Sequence, residues 1–138
     1  GELNGKPGRV LFVGMNPGPW GMVQTGIPFG DVGFVRDWMG IDTPVGQPKV
    51  LHPKRQVMGF SINRGEQSGK RFWGLMEETC HTAQCFFSRA FVYNYCPLAF
   101  FKGPKGTNLT PDKLRSKDSK PLFEACDGAL RSIIFELQ

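Results

Sequence analysis

The sequence predicts an α/β layered domain, and three observations carry that prediction. Two short, continuous apolar runs, Val10–Val13 and Ala90–Tyr93, pass directly into turn-forming segments, as the buried strands of a parallel sheet do. The segments between and after them carry apolar residues at helical spacing instead. The chain has 138 residues, 40% hydrophobic and 12% aromatic, which is enough for one packed core and too short for two.

In chain order, Val10–Val13 is the first expected strand, and Gly14 closes it. A loop rich in glycine and proline follows from Gly14 to Gly30. Phe34, Val35, Trp38 and Met39 then fall at helical spacing, with Gly40 as the stop. Residues 42–69 are polar and irregular, with a short strand expected around Val57–Ile62. Ser68 suits the N-cap of a helix whose apolar face is Phe72, Trp73, Met76 and Cys80. The second strand, Ala90–Tyr93, runs into Asn94-Tyr95-Cys96-Pro97, and a basic loop, Lys102–Gly106, follows. Thr110-Pro111 reads as an N-cap with proline at the first helical position. Leu122, Phe123, Cys126, Leu130, Ile133, Ile134 and Leu137 lie on one face of a final amphipathic helix. Two strands make a marginal sheet by themselves, so this pattern predicts an incomplete domain.

Lysine and arginine exceed aspartate and glutamate by 17 to 12, a net charge of +5 that is compatible with a polyanionic partner without requiring one. No run approaches the ~18 apolar residues of a membrane helix, and no secretory signal pattern is present, which points to an intracellular protein without membrane association. The first residue is Gly1 rather than methionine, so the natural N-terminus is expected to be absent. Four cysteines without a C-x-x-C pair argue for reduced, mostly buried thiols rather than a metal site. Cys80-His81 with Cys85 is a faint metal pattern only.

The most informative segment is Gly14-Met15-Asn16-Pro17-Gly18-Pro19-Trp20-Gly21-Met22, continuing through Gln24-Thr25-Gly26-Ile27-Pro28-Phe29-Gly30. It follows a core strand, where open α/β sheets bind ligands, and glycine lets its backbone approach a flat ligand closely. It is no phosphate loop, because no Gly-Lys-Ser/Thr follows the glycines. The string resembles the signature loop of the single-strand-selective monofunctional uracil-DNA glycosylase family. The resemblance continues through Val35-Arg36-Asp37-Trp38, His52-Pro53-Lys54-Arg55, Arg71-Phe72-Trp73, Asn94-Tyr95-Cys96-Pro97-Leu98 and Asn108-Leu109-Thr110-Pro111 to Cys126-Asp127. Essentially the whole chain from Val10 onward is covered.

That resemblance implies a uracil-DNA-glycosylase-like layered fold with a central parallel sheet, one partial domain over residues 1–138. It implies a base-excision-repair hydrolase that cleaves the N-glycosidic bond of uracil, and of oxidised C5-substituted pyrimidines, in single- and double-stranded DNA. Asn16 matches the family's catalytic asparagine, whose amide oxygen aims a water at the sugar C1′. Phe29 matches the aromatic on which the flipped base stacks, and Asn94 the reader of the pyrimidine edge. An amide there can accept from uracil N3–H and donate to O4, whereas cytosine presents the opposite pattern. Backbone groups of Met15 complete the pocket in the family manner. Lys102, Lys105, Asn108, Thr110, Lys113 and Arg115 are the expected DNA contacts. No metal and no cofactor is implied; the partner is damaged DNA, the protein a monomer, and the compartment the nucleus.

The family also carries an H-P-S-P-R motif near its C-terminus, whose histidine stabilises charge on the departing uracil. The two histidines here, His52 and His81, match other positions. The resemblance therefore implies a chain truncated at its C-terminus. The competing expectation is an inactive fragment that retains part of the base pocket and the DNA-binding loop.

Overall fold

The computed structural model describes residues 9–137 and, ahead of them, two short strands, β1 (Glu2–Leu3) and β2 (Lys6–Pro7), paired antiparallel. Strand β3 (Val10–Gly14) pairs in parallel with β4 (Ala90–Asn94), in the register Val10↔Ala90 through Gly14↔Asn94. Between them lie α1 (Met22–Thr25), a π-helical turn (Phe34–Trp38), a 3-10 turn (Gly59–Ser61), α2 (Gln67–Cys80) and α3 (Ala83–Phe87). After β4 come the antiparallel hairpin β5 (Phe100–Lys102) and β6 (Thr107–Leu109), a 3-10 turn (Pro111–Lys113) and α4 (Ser116–Glu136). This is the mixed α/β class with a small parallel sheet that the apolar runs predict. No helix among the described residues is long and apolar enough to cross a membrane.

The two parallel strands stand where expected, but their burial is one-sided. Because the register is in step, Phe12, Ala90, Val92 and Asn94 share one face, and Ala90, Val92 and Asn94 are buried on it. That face packs on Trp73 and Phe86, with Phe12, Phe29, Phe72 and Met76 around them. On the other face Val13 is 45% exposed and Phe91 40%. A continuous apolar run predicts cover on both faces, and among the described residues only one is covered closely.

Several local expectations need correction. The turn at Phe34–Trp38 is π rather than α, with the Met39 N–H donating to the Phe34 carbonyl, and it still buries Val35 completely. The region 57–62 forms no strand, because the Gln24 side chain takes up its backbone groups. The Met58 and Gly59 N–H groups donate to Gln24 Oε1, and Gln24 Nε2 donates to the Gln56 carbonyl. Helix α2 begins at Gln67, so Ser68 lies within it and its hydroxyl donates to the Glu66 carboxylate instead of capping. Helix α3 went unpredicted; Thr82 caps it by accepting from the Cys85 N–H. The basic loop stands as expected and forms the turn of the β5–β6 hairpin, whose two strands were not expected, whereas Thr110 makes no side-chain cap to the 3-10 turn it precedes.

Helix α4 is amphipathic as predicted but sparsely covered. Cys126 is its buried residue, whereas Ile134 is 43% exposed and Phe135 75%. Its attachment runs through Tyr95, whose hydroxyl donates to Asp127 at 2.7 Å and lies 3.2 Å from the Phe123 carbonyl. The Asp127 hydrogen bond, with burial second, holds the Tyr95 phenol protonated, its pKa pushed up to about 12. Burial, and then the neighbouring Cys96, push the Cys126 thiol up as well.

Candidate active site

The site is built where β3 and β4 end together. Parallel pairing in step puts Gly14 beside Asn94, and the ladder continues past the strands, with Tyr95 N–H donating to the Gly14 carbonyl and Cys96 N–H to that of Met15. The loop bearing Asn16 and the segment bearing Asn94 therefore leave the sheet at the same edge. That is the C-terminal edge of parallel strands, where α/β sheets place their ligands.

Gly14 is required there by close approach. A Cβ on Gly14 would collide with Asn94 Oδ1 and lie 2.8 Å from Cζ of Phe29. The Asn94 amide and the Phe29 ring thus converge over a single Cα. Asn94 is 4% exposed, and its Nδ2 donates to the Met22 sulfur at 3.0 Å. A thioether is a weak acceptor, so a ligand oxygen can displace it at small cost. Asn16 is half-buried, and its Nδ2 is fully buried without a hydrogen-bond partner. Such an orphaned donor costs about 1–3 kcal/mol, which marks a position kept for something other than stability.

Phe29 is held in an unusual conformation, with a φ of 55°, in the left-handed region that non-glycine residues rarely occupy. Strain of that kind costs on the order of 1–3 kcal/mol and persists only where the surroundings over-determine it. Here the Phe29 carbonyl accepts from Trp73 Nε1 at 3.1 Å and from the Asp31 N–H at 2.7 Å. Helix α2 presses against that same carbonyl at Gly69, where any Cβ would collide with it. One side of the ring stacks on Phe72, with centroids 4.9 Å apart and planes at 29°. Helix α2 therefore fixes Phe29 from below while its edge faces Gly14.

Three buried polar residues that the sequence reading left unassigned brace the loop. Gln24, 1% exposed, donates to the Pro19 and Gln56 carbonyls and accepts from the Met58 and Gly59 N–H groups, so all its capacity is used. Thr25 Oγ1 lies 3.0 Å from the Gly30 carbonyl and accepts from the Ile27 N–H. Asp31 accepts from the Glu66 N–H at 2.9 Å, tying the loop to the start of α2. Their signal in the sequence was faint: single polar letters inside a glycine-rich string, with partners more than thirty positions away in two of the three cases.

The remaining predicted residues divide. Met15 lies at the pocket with its carbonyl in the ladder and its side chain 52% exposed. Lys102, Lys105 and Asn108 are exposed on the β5–β6 hairpin, and Lys113 is exposed on the 3-10 turn. Arg115 is engaged by Asp118 at 2.9 Å, and Thr110 is half-buried. Neither histidine donates into the pocket. His52 accepts from the Lys54 N–H at Nδ1, which leaves Nε2–H to donate to the Gly103 carbonyl at 3.0 Å. His81 is exposed at the far end of α2.

Sequence comparison bears on this arrangement directly. The chain is 52% identical over 124 residues to the single-strand selective monofunctional uracil DNA glycosylase of Mus musculus, covering 90% of the chain and 44% of that relative. Identity is likewise 52% over 124 residues to the Rattus norvegicus protein of that name (90% and 44%). It is 49% over 124 residues to the Bos taurus protein (90% and 45%). The chain is a homologue of the single-strand-selective monofunctional uracil-DNA glycosylases. It spans a little under half the length of these glycosylases. No protein-family model matches it. An alignment covering nine-tenths of the chain takes in most of the elements that build the pocket, so the homology extends well beyond the signature loop.

Proposed function

We propose that the protein acts as a monofunctional uracil-DNA glycosylase in base excision repair, hydrolysing the bond between deoxyribose C1′ and uracil N1. The observation that carries this reading is the meeting of the Asn94 amide, the Phe29 ring and Gly14 at the strand edge, with the orphaned amide of Asn16 beside them. Homology to proteins named for that activity supports it.

In this reading a flipped uracil stacks on the face of Phe29 opposite Phe72, and stacking contributes about 1–3 kcal/mol. Asn94 exchanges the Met22 sulfur for uracil O4 as acceptor and takes the N3–H on its own oxygen. Cytosine reverses both groups and leaves two buried polar pairs unmade, which is how such a site discriminates strongly. The Asn16 carbonyl oxygen orients a water towards C1′. As the C1′–N1 bond breaks, the sugar takes on oxocarbenium character and uracil leaves with the bonding electron pair. The water oxygen then bonds to C1′ and its proton passes to solvent or to the departing base. An amide is too weakly basic to remove that proton first, so catalysis rests on position and on electrostatic support of the leaving group. No lysine stands at the loop to form a Schiff base, which is consistent with monofunctional chemistry.

Substrates extend in this proposal to oxidised C5-substituted pyrimidines and to single- and double-stranded DNA. The protein works as a nuclear monomer with the layered uracil-DNA-glycosylase architecture around its parallel sheet. Lys102, Lys105, Asn108, Thr110 and Lys113 lie along the strand, with Arg115 contributing once released from Asp118. The test is release of uracil from a single-stranded oligonucleotide, read by alkaline cleavage of the abasic product. Asn16→Ala should lower the rate by at least ~100-fold with little change in DNA affinity. Release by Asn16→Ala at the parental rate would remove Asn16 from the mechanism.

A further inference from the structure

Beside the base pocket, on the other side of Met22, two arginines share one tryptophan. The guanidinium carbon of Arg64 lies 4.5 Å from the centroid of the Trp20 ring and that of Arg55 lies 5.0 Å from it. Arg55 is also 5.9 Å from the Phe101 ring, and its Nε donates to the Gly106 carbonyl at 2.6 Å. Gly106 is buried with a φ of 62°, and a Cβ there would press on Arg55 and His52. Arg55 is therefore positioned from the hairpin, from the indole and from Phe101 at once. Among the described residues neither arginine forms an ion pair with a carboxylate, and Arg64 is exposed. Glu66, two positions from Arg64, packs against Gly18 and Gly21 and accepts from Ser68 without pairing with either arginine.

Each guanidinium–indole contact stabilises the fold modestly, and it also fixes the charged group in place while leaving edge N–H groups open to an anion. Planar, stacked arginine suits the oxygens of a phosphodiester, and stacking removes little of its hydrogen-bonding capacity at the edge. Arg55 lines a cavity of about 400 Å³ together with Pro17, Met22, His52, Leu98 and Phe101. Pro17 follows Asn16, and Met22 is the residue that Asn94 contacts. The cavity thus opens directly beside the candidate base pocket. Its lining is mostly apolar, with Arg55 as its cation, and an apolar trough edged by a cation suits a single strand.

We propose that Arg55 and Arg64, mounted on Trp20, bind backbone phosphates of the DNA strand immediately next to the flipped nucleotide. This inference rests on the glycosylase reading for the identity of the strand. The hairpin that anchors Arg55 also carries Lys102 and Lys105, so the cationic track runs from the pocket edge onto β5–β6. Trp20 is a positioning residue in this scheme, and the two arginines are binding residues.

The experiment measures the affinity of the protein for a single-stranded oligonucleotide by fluorescence anisotropy over a salt series. The oligonucleotide is used with one central uracil and with thymine in its place. Arg64→Gln and Arg55→Gln should each flatten the dependence of log affinity on log salt by ~0.7, the release expected for one phosphate contact on a single strand. Both should weaken uracil and thymine strands equally, and Arg64→Lys should restore most of the slope. Asn94→Ala should leave the slope intact and abolish the preference for uracil. An unchanged slope in both glutamine variants would overturn the phosphate assignment while the Asn94 result still stood. A wild-type protein without uracil preference would remove the glycosylase reading, whatever the slopes. Thermal melting of Arg64→Gln, whose side chain is exposed, separates the two roles: a merely structural arginine lowers the melting temperature and leaves the slope alone. Inorganic phosphate is titrated alone at constant ionic strength as a further arm. Saturable binding that Arg64→Gln removes, with no effect on the oligonucleotide slope, would assign a free phosphate and contradict the strand.

Discussion

The loop Gly14–Asp31 with α2 and the segment from the β5–β6 hairpin to α4 are built on opposite principles. In the first, Trp73 is fully buried, Gln24 and Asp31 are buried with hydrogen-bond partners, and a strained Phe29 is held by three contacts on one carbonyl. In the second, a 21-residue helix buries Cys126 and accepts a hydrogen bond from the Tyr95 hydroxyl, while Phe135 is left exposed. Rigidity is concentrated where an amide and a ring must meet a base at fixed positions. A misplacement of about 1 Å at such a site can cost ~100-fold in rate, and a peripheral helix carries no such demand.

The contrast can be broken from the rigid side. Trp73→Ala removes the centre of the aromatic cluster and the indole N–H that holds Phe29, and should cost about 3–5 kcal/mol in a denaturant titration. Gln24→Ala should cost less, about 1–3 kcal/mol, by unpairing buried backbone groups of the 56–59 segment. If either loss is matched by an α4 substitution such as Phe135→Ser, the contrast is wrong, because an exposed position should shift stability by no more than ~0.5 kcal/mol.

On the α4 side, pH is the sharper probe. The folded Tyr95 phenol titrates at about 12, above its ordinary value near 10, so its stabilising contribution is complete below pH ~10 and disappears as pH rises towards 12. Stability should fall over that alkaline window in the parent protein and fall less in Tyr95→Phe. Equal slopes in the two proteins would show that α4 is held by something other than the Tyr95–Asp127 hydrogen bond.

The same division separates what was legible in the sequence from what was not. Strands β3 and β4 follow from continuous apolar runs, and the apolar faces of α2 and α4 from helical spacing, all of which are local properties. The one-sided cover of β3 and β4 does not, because a continuous apolar run looks the same whether one face is covered or both. Helical spacing at Phe34–Met39 marks the turn but not its type, because so few residues cannot separate an α from a π period. The absent strand near Val57 and the role of Gln24 are one fact: a side chain distant in sequence took the backbone groups a strand partner would have used. At the site, the resemblance named Asn16, Phe29 and Asn94. That Phe29 and Asn94 meet over Gly14 depends on the register of two strands eighty residues apart, which no local pattern encodes.

The most direct test of the account is Gly14→Ala, assayed for uracil release and, in parallel, for binding of undamaged single-stranded DNA. A methyl group there occupies the space in which Asn94 and Phe29 converge. Release should fall by at least ~100-fold while binding of undamaged DNA is retained, since the phosphate contacts are untouched. Uracil release by Gly14→Ala at the parental rate would contradict the placement of the base pocket at this strand edge.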